Sequence, residues 1–166
     1  MKNVFAITSN VDRFLAGITR VEGRGAAEAG WMAVSGKAGF GKSETLQWHA
    51  TQSAAPMVRA KAGWTPHWML TDLVVALGHR PMRSSHDLFN HALGAITAAL
   101  NGETAPLIID EIDHALRDVK VLETVRDLSD LTEIVVIVAG HEGLEAGLRR
   151  FPQIHSRVAE FVEFGP

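Results

Sequence analysis

The sequence predicts an α/β three-layer sandwich with a five-stranded parallel sheet, and three observations carry that expectation. Near-continuous Val/Ile-rich runs such as Leu107-Ile108-Ile109 and Ile134 to Val138 read as strands buried on both faces. Segments with apolar residues at helical spacing separate these runs, the order that covers a parallel sheet with helices on either side. A glycine-rich stretch, Gly36 to Gly41, joins a strand to a helix.

Taken in order, Ser9 with Asp12 three residues on forms a capping-box signature, and Val11, Phe14, Leu15, Ile18 and Val21 continue at helical spacing to Gly23. Beyond a Gly/Ala-rich loop, Trp31 to Ser35 is a short apolar strand, and a helix is expected from Lys42 to about Ser53. Pro56 to Ala62 reads as a second strand. Thr65-Pro66 is an N-cap with proline at the first helical position, opening Trp68, Leu70, Leu73, Val74 and Leu77 before Gly78. Ser84 with Asp87 opens another helix through Leu88, Phe89, Ala92, Leu93, Ile96 and Leu100, closed by Asn101-Gly102. Leu107 to Ile109 is the third strand, Val119, Leu122, Val125, Leu128 and Leu131 mark a helix, and Ile134 to Val138 is the fourth strand. A helix over about Gly143 to Arg150 and a terminal strand around Phe161 to Phe164 complete the pattern. Neither an internal repeat nor a linker interrupts it, so residues 1–166 read as one domain, with a helix and loop over 8–29 leading into a core over 30–166.

Composition narrows the chemistry. With 166 residues and 46% of them apolar, such a domain buries roughly 70% of its unfolded surface and needs no disulfide or structural metal. The absence of cysteine excludes zinc-thiolate sites, iron–sulfur clusters, thiol nucleophiles and a disulfide-stapled scaffold, and makes a reducing, cytoplasmic compartment the simplest expectation. A net charge of −3 gives no general attraction to nucleic acid or anionic membrane, so any such contact must come from a local patch. The longest apolar run, Ile134 to Gly140, is far below the ~20 residues of a bilayer span, and Met1 to Ser9 lacks a secretory apolar segment.

The strongest chemical signal is Gly36-Lys37-Ala38-Gly39-Phe40-Gly41-Lys42-Ser43, which satisfies G-x-x-x-x-G-K-[ST] between a strand and a helix. Glycines let the backbone wrap a phosphate, amides and the helix N-terminus supply positive potential, Lys42 reaches the β- and γ-phosphates, and the Ser43 hydroxyl ligates Mg2+. Glu44, next along the helix, belongs to the same nucleotide-binding set. The second signal is the apolar strand ending in Asp110-Glu111, where Asp110 holds the magnesium and Glu111 polarises the attacking water. In parallel sheets ligands bind at that carboxyl edge. Histidines at 49, 67, 79, 86 and 91 carry no metal-ligand spacing. Trp64 and Trp68, near Arg59 and Lys61, offer at most a local surface for a single strand.

On these residues the chain resembles an AAA+ ATPase core, and its finer pattern is similar to the branch of phage Mu B protein and TniB transposition ATPases, which is related to secretion ATPases. The finer matches are the helix running from Thr65 to Leu77-Gly78, Gly140-His141 with Leu144 after the fourth strand, and Gln153 with Arg157-Val158. The resemblance implies that His141 is a sensor contacting the γ-phosphate or the lytic water, where Gln, Asn or Thr is more usual. It makes Arg157 the arginine finger for a neighbouring subunit, with Arg149 and Arg150 as rivals. It implies ATP and Mg2+ as ligands, a homo-oligomer that forms on ATP binding, non-specific DNA contact, and a transposase as partner to which target DNA is delivered, with no membrane contact. Two departures stand out: the helical lid and the accessory DNA-binding domain of such proteins are missing, as in a minimal core or a fragment. A secretion-type ATPase and a monomeric P-loop enzyme such as a small-molecule kinase remain as alternatives. Asp110-Glu111-Ile112-Asp113 is similar to the acidic motif of helicases, but 166 residues are too few for the second RecA-like domain they need, and a GTPase is disfavoured by the absence of Asn-Lys-x-Asp.

Overall fold

The computed structural model describes residues 6–24, 29–100 and 105–166. Its elements run α1 (Ser9–Glu22), β1 (Trp31–Ser35), α2 (Lys42–Ser53), β2 (Met57–Arg59), α3 (Pro66–Ala76), α4 (Ser85–Leu100), β3 (Leu107–Asp110), a 3₁₀ turn (Ile112–Ala115), α5 (Val119–Thr132), β4 (Val136–Ala139), α6 (Leu144–Arg149), α7 (Pro152–His155) and β5 (Val158–Glu163). The five strands pair in the order β2-β3-β4-β1-β5, and every ladder is parallel. The expected three-layer, five-stranded parallel sandwich is the observed fold.

Alternation along each strand divides the core. Trp31, Ala33, Leu107, Ile109, Val136 and Val138 face α3 to α6, while Met32, Val34, Ile108, Ile137 and Ala139 face α1 and α2. Each large side chain so buried contributes about 1.5–3 kcal/mol relative to exposure. Trp31 keeps its polar edge satisfied by donating from Nε1 to Ser129 Oγ at 3.0 Å. Thr65 caps α3 as expected, accepting from the Trp68 amide at 3.1 Å, and Ser84 accepts from the Asp87 amide at 3.0 Å. The closing Asn101-Gly102 lies outside the described residues, as do residues 25–28 of the Gly/Ala-rich loop.

Several boundaries differ from the sequence reading. The cap of α1 is Thr8, which accepts from the Val11 amide, and not Ser9; the Asp12 amide already bonds to the Thr8 carbonyl at 3.0 Å, so the helix starts one residue earlier. The second strand is shorter than Pro56 to Ala62 because its partner β3 ends at Asp110, whose carbonyl takes its last bond from the Ala60 amide at 2.9 Å. β5 begins at Val158, three residues before the expected start at Phe161. It is an edge strand, and Glu160 on it bonds Arg20 at 2.9 Å, which breaks the apolar pattern that marks buried strands. The 3₁₀ turn and α7 were not expected, since four residues are too few to display a helical period.

The two ends of the described chain are tied together. Asn10 in α1 is 9% exposed; its Oδ1 accepts from the Gly165 amide at 3.0 Å and its Nδ2 donates to the Gly165 carbonyl at 2.8 Å. The same Nδ2 stands 3.4 Å from the Phe40 carbonyl of the glycine-rich loop. Replacing Asn10 by Ala leaves these partly buried backbone groups without their partner and is expected to lower stability by about 1 kcal/mol. Urea unfolding of Asn10→Ala beside wild type measures it.

Candidate nucleotide-binding site

β1 delivers the chain to the glycine-rich loop at the carboxyl edge of the sheet. Gly36, at φ 149, passes so close to the end of β5 that a Cβ there would stand 2.7 Å from the Phe164 carbonyl oxygen. Gly39 and Gly41 have φ of 87 and 86, in the left-handed region that side chains disfavour. Gly41 is the N-cap of α2 and supplies no side-chain cap. The first amides of a 12-residue helix therefore open toward the loop, a site of positive potential suited to an anion.

Lys42 folds over the same loop, donating from Nζ to the Gly36 carbonyl at 2.6 Å and to the Lys37 carbonyl at 2.9 Å. Ser43 Oγ donates to Asp110 Oδ2 at 2.6 Å, and Asp110 Oδ1 accepts from the Glu111 amide at 2.8 Å. Asp110 is only 2% exposed, and among the described residues no basic side chain pairs with it. A buried carboxylate with a hydroxyl beside it and no cation suits a divalent ion. No group of three or more metal-ligating side chains occurs among the described residues. That donor set fits magnesium, which commonly takes one or two protein ligands and completes its shell with phosphates and water.

Glu111 adopts φ 53, ψ 40, a left-handed conformation that costs a non-glycine residue about 1 kcal/mol or more. It follows β3 directly and lines the cleft, with Oε2 3.7 Å from His114 Nε2. The cleft, about 220 Å3, is bounded by the loop, Ser43, Glu44, Asp110, Glu111, Asp113, Gly140 and His141. The loop from Gly36 to Ser43 thus gathers with Glu44, Asp110, Glu111 and His141 at one edge of the sheet.

Arg157 is not among them. It precedes β5, at the opposite edge of the sheet, where its carbonyl accepts from the Trp31 amide at 3.0 Å. Its guanidinium forks onto Asp130, at 2.8 and 3.3 Å, and this hydrogen bond with the nearby carboxylate charges raises its pKa further. Arg149 bonds Glu145 at 2.7 Å, and Arg150 lies 5.7 Å from the Phe151 ring. The sequence reading noted Asp113 only as the end of the acidic run Asp110-Glu111-Ile112-Asp113 and gave it no role here; its carboxylate accepts from the His141 amide at 2.9 Å. His79, in the segment after α3, and His91, in α4, bring their rings to 4.8 Å.

A family model described as AAA domain matches residues 26–148. No curated protein matches the chain. Among solved structures, the Orc1 protein of Aeropyrum pernix in complex with DNA superposes with a TM-score of 0.63 at 17% identity, covering 95% of this chain and 44% of its own. Cdc6p from Pyrobaculum aerophilum superposes with a TM-score of 0.56 at 14% identity, covering 99% and 48%. The chain therefore spans less than half the length of either, and the likeness is one of fold. With most of the sequence inside the matched region, and the phosphate-type loop facing Asp110 and Glu111 across that fold, the chain belongs to the AAA domain family.

Proposed function

We propose that the chain binds ATP with Mg2+ and hydrolyses it. The observation that carries this reading is the meeting of Ser43, Asp110 and Glu111 beside the Gly36–Lys42 loop. Loop amides and the α2 N-terminus would hold the phosphates, and Lys42 would exchange its two carbonyl partners for phosphate oxygens. Ser43 and Asp110 would hold the magnesium, which when bound screens the phosphate charge and polarises the γ-phosphoryl group. Glu111 orients a water for in-line attack on the γ-phosphorus; the new P–O bond forms as the bond to the ADP oxygen breaks, and Glu111 receives the water proton. His141, at the tip of β4, would contact the γ-phosphate or that water. A phosphotransferring kinase has no use for a carboxylate placed to activate water, so Glu111 favours hydrolysis over that alternative.

The wider role we propose is assembly of homo-oligomers on DNA that regulate transposition by delivering target DNA to a transposase. It is supported by the Mu B/TniB-like pattern of Thr65 to Gly78, Gly140-His141 and Gln153 with Arg157. The Aeropyrum Orc1 structure, with the same fold, is of a complex with DNA. In such an assembly Arg157, which in this chain pairs with Asp130, would leave that carboxylate to serve a neighbour's nucleotide.

Lys42→Ala should weaken ATP binding by about tenfold to a hundredfold, the loss of a charged hydrogen bond, with an unchanged circular dichroism spectrum. Calorimetry showing wild-type affinity would sink the nucleotide site. Glu111→Gln keeps shape but removes the charge, so ATP should still bind while turnover falls about 10²-fold or more; hydrolysis at the wild-type rate would require another base. For the assembly, specific activity should rise with protein concentration. Mixtures of Arg157→Ala and Lys42→Ala chains should regain turnover, because each supplies what the other lacks, and a finger of this kind is worth about 10³-fold or more. An Arg157→Ala chain as active as wild type at every concentration would refute the finger.

A further inference from the structure

We infer that Asp113 is a positioning residue that fixes the tip of β4 against Glu111 and so lets the cleft distinguish nucleotides by their terminal phosphate. The inference deepens the proposed ATP hydrolysis and rests on it. Asp113 sits in the 3₁₀ turn that follows Glu111, and that turn is fastened at several points. Ile112 and Ala115 are 0% and 1% exposed, and Leu116 packs onto α6 so closely that a Cβ at Gly147 would lie 2.8 Å from its Cδ1. Thus anchored, the turn directs the Asp113 carboxylate at β4, where Oδ2 accepts from the His141 amide at 2.9 Å.

The ladder of β4 does not need this bond. Its last rung is complete when the Gly140 amide donates to the Val34 carbonyl at 2.9 Å. The Asp113 contact acts one residue further, on His141, which lines the cleft. Contact is also tight at Gly140, where a Cβ would stand 2.6 and 2.8 Å from the two carboxylate oxygens. Only glycine admits the carboxylate there. Glu111 and Asp113 leave one rigid turn, so the residue that would activate water and the residue that would read the γ-phosphate share a single support. A bond to a charged acceptor is stronger than a neutral one, which suits a carboxylate to this task.

The test measures Mg-ATP and Mg-ADP affinities and steady-state turnover for wild type, Asp113→Ala, Asp113→Asn, Gly140→Ala and the double Asp113→Ala/Gly140→Ala chain, with thermal melts for each. In Asp113→Ala the ATP-over-ADP preference and kcat should each fall about tenfold, with ADP affinity within about twofold of wild type. Asp113→Asn, which retains an acceptor, should recover most of both. Gly140→Ala displaces the carboxylate and should reproduce the loss, and the double variant should be no worse than Asp113→Ala alone, because both act through one contact. Should Asp113→Ala fail to fold, the Gly140→Ala and Asp113→Asn chains carry the same comparison. Unchanged preference and kcat in Asp113→Ala and Gly140→Ala would overturn the inference, and so would equal losses of ATP and ADP affinity, which mark a general structural role. A wild-type chain that binds neither nucleotide would overturn the ATP reading and this inference with it.

Discussion

Ser43 and Asp110 lie 67 residues apart in the chain yet share a 2.6 Å hydrogen bond, and the register of three parallel strands makes that possible. Trp31 and Leu107 both pair with Val136, so β1 and β3 are level on either side of β4. From that common row the three strands rise together and end together, at Ser35, Asp110 and Ala139. The glycine-rich loop, the acidic turn and the His141 tip therefore emerge side by side. A slip of one residue in β3 would exchange the faces of Ile108 and Ile109 and carry Asp110 away from Ser43. The apolar packing that forbids such a slip is thus also what assembles the cleft.

What could be seen in the sequence was what is local or repeated. The Gly36 to Ser43 spacing is a local code, and the strand carrying Asp110 is buried on both faces, so its apolar run is unbroken. Thr65 was legible because the cap, the proline and the helix are contiguous. Legibility failed where a neighbour distant in the chain decided the outcome. β2 stops where β3 runs out, and β5 extends through Glu160 because β1 pairs with it from Trp31 onward. Asp113 was visible only as the last acid of Asp110-Glu111-Ile112-Asp113; its contact with the tip of β4 depends on a tight turn and on the absence of a side chain at Gly140. Arg157 was identified by pattern, but the pattern could not say that Asp130 holds it at the opposite edge of the sheet.

The distribution of charge follows from the same architecture. Among the described residues, the only side-chain ammonium folded over the loop at the carboxyl edge is that of Lys42, reinforced by backbone amides, against the acids Glu44, Asp110, Glu111 and Asp113. The guanidinium of Arg157 balances Asp130 beyond the amino edge, with Asp127 nearby. An anionic ligand in the cleft is thus met chiefly by amide dipoles, which are fixed by the helix and unaffected by pH, while the carboxylates opposite favour a bound cation between them.

The clamp between Asn10 and Gly165 has a mechanical meaning. Because the start of α1 and the end of β5 are neighbours, tension that separates them does not shear the whole β1–β5 ladder at once but peels it rung by rung. The first rungs to feel the load are the two bonds at Gly165. The next is the 2.8 Å bond from the Phe164 amide to the Ser35 carbonyl, at the root of the phosphate-type loop. A pull on the last residues of this chain therefore passes through Phe164 and Ser35 to Gly36 before it reaches the rest of the core, and the loop is the first functional element to register strain.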